Sequence, residues 1–176
     1  MIMFLYDNRI AQFEKNKEYN SVLIYLVTKF EQAPSSILIN TIIGYSWYLF
    51  TSHEFDNESW YDWSDYKEKW IKFMDIGKVC FTEDASVNFI IGYTLSTSWE
   101  YIANQSDFSE KDGLTYIKKS VEMASDCAIK QLTMFFLNRN LNYSRKTKCL
   151  SKEIVYELFP HNSLLDNYFK QIIFND

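Results

Sequence analysis

The chain has 176 residues, of which 47 % are hydrophobic, so it is read as one domain, 1–176, with enough apolar side chains for a real core and not as a disordered segment. Only four glycines and two prolines are present, too few for the turns of a many-stranded sandwich or barrel. The net charge of -5 is local: residues 30–66 carry six acids and no lysine or arginine, while the rest of the chain holds 18 bases against 17 acids, a balance that disfavours a general nucleic-acid binder.

Apolar residues recur at helical spacing almost throughout, which predicts an all-α fold. The first helical pattern covers about residues 7–32, through Ile10, Phe13, Val22, Leu23, Leu26, Val27 and Phe30, with a polar patch at Asn16 to Asn20 that can split it. Ala33-Pro34-Ser35 ends it, because the residue before proline avoids the helical region. Ser35 or Ser36 can cap the next helix, Ile37 to about Ser52.

An acidic connector follows, from His53 to Tyr61, with Glu54, Phe55, Asp56, Glu58, Trp60 and Tyr61 in it and Asp62 and Asp65 just beyond. The next helix, about 62–80, places Trp63, Tyr66, Trp70, Phe73, Met74 and Gly77 on one face, and Asp65, Lys69 and Lys72 on the other. Thr82 to Asp84 reads as a capped turn before a helix from about Ala85 to Asn104. Asn104 to Ser109 reads as a polar loop, and Ser109 with Asp112 resembles a capping box. A helical pattern then runs from Glu110 to about Asn138, with a break near Ser125-Asp126. A basic stretch with Arg139, Arg145, Lys146 and Lys148 leads to two short helices, Ser151 to Phe159 and Ser163 to Phe174, separated by Pro160.

Asn40-Thr-Ile-Ile-Gly-Tyr45 is echoed by Asn88-Phe-Ile-Ile-Gly-Tyr93, both inside apolar helices, where glycine is tolerated if another helix must approach closely. Ile43-Gly44-x-x-Trp47 and Ile76-Gly77-x-x-Cys80 resemble degenerate first helices of tetratricopeptide repeats, and Gly44 and Gly77 are 33 residues apart, near that family's period of about 34. The pattern along the chain gives about seven or eight helices, and the resemblance implies that they stack largely as antiparallel hairpins. In such a stack alternate connectors emerge on one edge, so the links at 53–62 and 104–112 are expected side by side, bringing Asp107, Glu110 and Asp112 next to the first acidic run.

Little in the sequence suggests catalysis. The two histidines, His53 and His161, belong to no HExxH motif or recognisable triad. Phosphate-binding glycine loops and paired zinc ligands are absent from the sequence, so neither cofactor nor metal is expected. Glu54, Asp56, Glu58, Asp62 and Asp65 fall on ligand positions of a calcium-loop template, but Ser59 stands where that loop requires glycine. Cys80, Cys127 and Cys149 form no CxxC pair and are expected as helix-core residues in a reduced, cytoplasmic compartment. The apolar start ends at Asp7 without a basic head or a cleavage site, so a signal peptide is not expected.

In size, charge and compartment the chain resembles a small helical immunity protein of a bacterial toxin system, of the contact-dependent growth inhibition type. That resemblance implies a protein that is not an enzyme and that occludes a cognate basic toxin domain, commonly a nuclease, without touching nucleic acid or membrane itself. The acidic connector and its expected neighbour (Glu54, Phe55, Asp56, Glu58, Trp60, Tyr61, Asp62, Asp65, Asp107, Glu110 and Asp112) form the candidate partner surface. A helical-repeat adaptor that binds a peptide or protein unrelated to toxins is the alternative.

Overall fold

Asp7 starts the first helix by accepting the backbone N–H groups of Arg9 and Ile10, both at 3.1 Å. The computed structural model describes residues 2–52, 60–140 and 150–175. Those residues form nine α-helices and a short 3₁₀ turn, with no strand among them. They are α1 (Asn8–Lys15), α2 (Tyr19–Gln32), α3 (Ser36–Thr51), α4 (Trp60–Cys80), α5 (Ala85–Ser98), α6 (Glu110–Met123), α7 (Cys127–Asn140), α8 (Lys152–Leu158) and α9 (Leu164–Phe174). The turn Trp99–Tyr101 extends α5.

Both suspected interruptions are real, so the described helices number nine where seven or eight were expected. Lys17 adopts a left-handed φ of 59° that separates α1 from α2. Asp126 separates α6 from α7 by accepting the N–H groups of Ala128 at 2.8 Å and Ile129 at 3.1 Å. Asp84 caps α5 in the same way, through Ser86 and Val87.

Two helices make the centre. Every residue of α3 from Leu38 to Trp47 is buried, as is every residue of α5 from Ser86 to Leu95. Helices apolar on all sides belong in a core. They are the two copies of the Asn-x-Ile-Ile-Gly-Tyr echo, and they pack against each other. Asn40 donates to Ser86 Oγ at 2.8 Å across that contact. Sequence neighbours then pair outward: α2 and α4 on α3, α6 on α5, α7 on α6, and α1 on α2.

The α5–α6 contact is the most intimate. A Cβ on Gly92 would lie 2.7 Å from the Ile117 nitrogen and 2.8 Å from the Gly113 oxygen, and one on Gly113 would lie 2.8 Å from the Ser96 nitrogen. Each glycine lets the other helix's backbone approach. Helix α4 seats Gly77 over Val87 and Ile91 of α5 and Ile39 of α3. Tyr66, Trp70, Phe73 and Met74 are buried as its stripe predicts, while Trp63 is half-buried at the stripe's end.

Among the described residues no helix is long and apolar enough to cross a membrane. Cys80 and Cys127 are exposed, which corrects the expectation of core cysteines: they stand at the last residue of α4 and the first of α7, where side chains reach solvent. Cys149 lies outside the described residues.

Candidate functional site: a groove along the fourth helix

Helix α4 buries its aromatic stripe and turns its charged face outward. On that face Trp63, Ser64, Lys67, Glu68, Ile71, Lys72, Asp75 and Ile76 line one side of an open groove of about 870 Å³, with Phe50 and Gln105 completing it. From Trp63 to Ile76 the helix rises about 20 Å, so the groove is a long one. Its apolar side chains come from two elements: Trp63, Ile71 and Ile76 from α4, and Phe50 from the last turn of α3. Phe50 is fixed by the ring of Tyr101, edge-on at 5.6 Å, and by Trp70 at 6.1 Å. Lys67 Nζ sits 5.8 Å above the Phe50 ring.

The segment between α5 and α6 forms the other bank. Trp70 donates to Thr94 at 3.2 Å, which sets the C-terminal half of α5 beside the middle of α4. The chain does not then continue toward the start of α4. Phe108 is buried, 6.2 Å from the Tyr116 ring and under Lys78 Nζ at 5.2 Å, so the segment folds back toward the C-terminal end of α4. Asp107 thereby comes within electrostatic reach of Asp75, and Asp112 and Asp75 both act on Tyr116. Asp65 is ten residues before Asp75 on the same helix, about 15 Å away along the axis. The second acidic link is thus set against the last third of α4; residues 53–59, its expected neighbours, lie outside the described residues. Phe108 holds the link there, one apolar residue in a segment otherwise read as a polar loop.

The electrostatics follow from this placement. Partial desolvation holds the Asp75 carboxyl above its ordinary value; Lys78 pulls it down and the Asp107 charge pushes it up. Burial raises the Tyr116 hydroxyl, with Asp112 and Asp75 adding to the effect. Asp65 pairs with Lys69 one turn on, as the sequence spacing suggests. Asp112 accepts the Ser109 N–H at 2.6 Å, so one carboxylate of the candidate set has a structural task at the start of α6. The groove itself is not uniformly acidic, because Lys67 and Lys72 line it together with Glu68 and Asp75.

Of the other candidate residues, Glu54, Phe55, Asp56 and Glu58 lie outside the described residues. Helix α4 begins at Trp60, so Trp60 and Tyr61 stand on its first turn and not in a connector; their side chains, and those of Asp62 and Glu110, lie outside what is described. Sequence reasoning missed Phe50, Ile71, Asp75, Ile76 and Gln105. A signal existed for two of them: Ile71 and Ile76 fall on the flanks of α4's aromatic stripe, apolar residues on an otherwise charged surface. Of the basic stretch, Arg139 is on α7, while Arg145, Lys146 and Lys148 lie outside the described residues. Among the described residues, no group of three or more His, Cys, Asp or Glu side chains is placed to hold a metal ion.

Comparison of the chain with protein-family models, with curated proteins and with solved structures gave no match.

Proposed function

We propose that this chain is a protein-binding domain that neutralises a cognate basic toxin domain, a nuclease in the simplest case, by covering its substrate-binding surface. The observation that supports the reading is the α4 groove, about 20 Å long, where Trp63, Phe50, Ile71 and Ile76 alternate with charged side chains, with the Asp65–Lys69 pair toward one end and Asp75 and Asp107 toward the other. A nuclease needs a positive cleft to hold a phosphate backbone. Separated carboxylates match such a cleft at several points, and the apolar side chains supply desolvated contact between them. The acidic run at 53–59 leads directly into this helix and adds to the steering field.

The test is co-expression with the product of the neighbouring gene in the native genome. Protection from a toxic neighbour, lost on Ile71→Asp and on Asp75→Lys with Asp107→Lys while helical content is retained, supports the reading. A harmless neighbour, or protection indifferent to both variants, overturns it.

A second reading has its own observation. The groove mixes Lys67 and Lys72 with Glu68 and Asp75 beside apolar side chains, a pattern suited to an amphipathic helix carrying both signs of charge. A helical adaptor that takes such a peptide would protect against no toxin, yet would lose its ligand on Ile71→Asp.

A further inference from the structure

The α4 side of the groove is two complete rows of side chains at one-turn spacing, and that regularity limits what can fill it. One row runs through Trp63, Lys67, Ile71 and Asp75; the other, one residue on, carries Glu68, Lys72 and Ile76. Rows at i, i+4 spacing are the ridges against which a second helix packs. The first row continues beyond the groove. Its next member is Val79, 75 % exposed, more than any other large apolar side chain among the described residues. Trp63, Ile71 and Val79 thus recur every eight residues on one row, about 12 Å apart along the axis.

The charges on this face are balanced and available. Lys67 and Lys72 stand against Glu68 and Asp75, so the face carries both signs and no net charge. The spacing of Glu68 and Lys72 allows an ion pair, but none joins them; Lys67 and Lys72 instead lie over the rings of Phe50 at 5.8 Å and Phe73 at 5.9 Å. Among the described residues no strand offers an edge to an extended peptide. The backbone of α4 is spent on its own hydrogen bonds, which leaves side-chain packing along the helix axis. A wholly basic surface would meet Lys67 and Lys72 as like charges, and a wholly acidic one Glu68 and Asp75.

We infer that the partner element seated here is an amphipathic helix of mixed charge, lying along α4 from Trp63 to Val79, a contact about 24 Å long. The inference rests on the reading of the groove as the partner surface and adds the chemistry of what docks there, with Val79 as an anchor beyond the groove. The docked helix presents apolar side chains to Trp63, Ile71 and Val79, acids to Lys67 and Lys72, and bases to Glu68 and Asp75. Apolar burial holds it, and the charges fix its register. A slip of one turn would carry the base that faces Glu68 onto Lys72.

The probes are three helix-constrained synthetic peptides of about 20 residues sharing one leucine stripe, with flanking positions of mixed Lys and Glu, all Lys, or all Glu. Fluorescence anisotropy with the full chain should show the mixed peptide bound about tenfold or more tighter than either single-sign peptide. Ile71→Asp and Val79→Asp should each weaken it by about tenfold or more. Ile24→Asp, at a side chain 63 % exposed on α2, should change nothing. Lys67→Glu with Lys72→Glu should move the preference to the all-Lys peptide. Val79 is exposed enough for Val79→Asp to keep the fold, so it decides alone if Ile71→Asp does not fold. No binding of the mixed peptide, equal binding of all three, or indifference to Val79→Asp overturns the inference. So does a chain that sediments as a dimer and becomes monomeric on Val79→Asp, which puts a second copy on the face. A harmless neighbouring gene product with peptide selectivity intact removes the toxin and upholds the docked helix. Protection that depends on Asp75 and Asp107 with no peptide bound does the reverse.

Discussion

A single carboxylate illustrates how much one residue organises at the start of the chain. Asp7 caps α1 through Arg9 and Ile10, accepts the Tyr25 hydroxyl at 2.7 Å and pairs with Lys29 at 3.4 Å. Burial pushes its pKa upward, but the Ile10 N–H, Tyr25 and Lys29 outweigh that and hold it below the ordinary value. Asp7→Ala should cost about 1–2 kcal/mol in urea unfolding at neutral pH, the usual range for a lost cap with partners. Because the pKa is lowered by folding, Asp7's contribution is present above its unfolded pKa and lost as pH falls through the folded one. The gap between wild type and Asp7→Ala should therefore close in acid. A thiol reagent gives a second check at this scale. Cys80 and Cys127 are exposed, so at least these two thiols should react in the folded protein without denaturant.

Among the helices, glycines that look alike in sequence carry different burdens. Gly92 faces backbone atoms of α6, the Ile117 nitrogen at 2.7 Å and the Gly113 oxygen at 2.8 Å. Backbone cannot rotate away, so Gly92→Ala must part α5 from α6 and should cost about 2 kcal/mol or more. Gly77 faces side-chain ends of Ile91 and Val87, each at 3.0 Å. There the neighbours can adjust, and the helix gains about 1 kcal/mol from replacing glycine by alanine. Gly77→Ala should fall near neutral, and thermal unfolding of the pair checks the contrast. The echo around Gly44 and Gly92 thus has a physical meaning in the paired central helices. The 33-residue spacing of Gly44 and Gly77 marks only that both sit in the same stack.

For the molecule as a binding partner, groove and rim should separate kinetically. With a basic partner in hand, Ile71→Ala should act mainly through faster dissociation, because it removes desolvated contact. Asp75→Lys with Asp107→Lys should act mainly on association, and its effect should shrink as salt rises, because exposed charges steer encounter and are screened. Surface plasmon resonance at two ionic strengths distinguishes the two. A double lysine variant that leaves the association rate unchanged at low salt removes these acids from the interface.

The sequence by itself determined the helical class, most of the helix ends and the buried stripes, though α5 stops at Ser98 and not near Asn104. Those are local matters: the spacing of Tyr66, Trp70, Phe73 and Met74, the caps at Asp84 and Ser109, the proline at 34 and the polar breaks at 16–20 and 125–126 each act within a few residues. It also singled out α3 and α5 through their echoed apolar runs. Only the tertiary structure decided where the acids stand. Phe108 is a single apolar residue whose burial depends on Tyr116 and Lys78 from two other helices, and it brings Asp107 within reach of Asp75. The groove likewise needs Phe50, Gln105 and α4 brought together, and the hydrogen bond from Leu164 to Glu14 joins positions separated by nearly the whole chain. Periodicity reads one helix at a time; which face meets which neighbour is fixed by the packing of all of them at once, and sites built from several elements are written there.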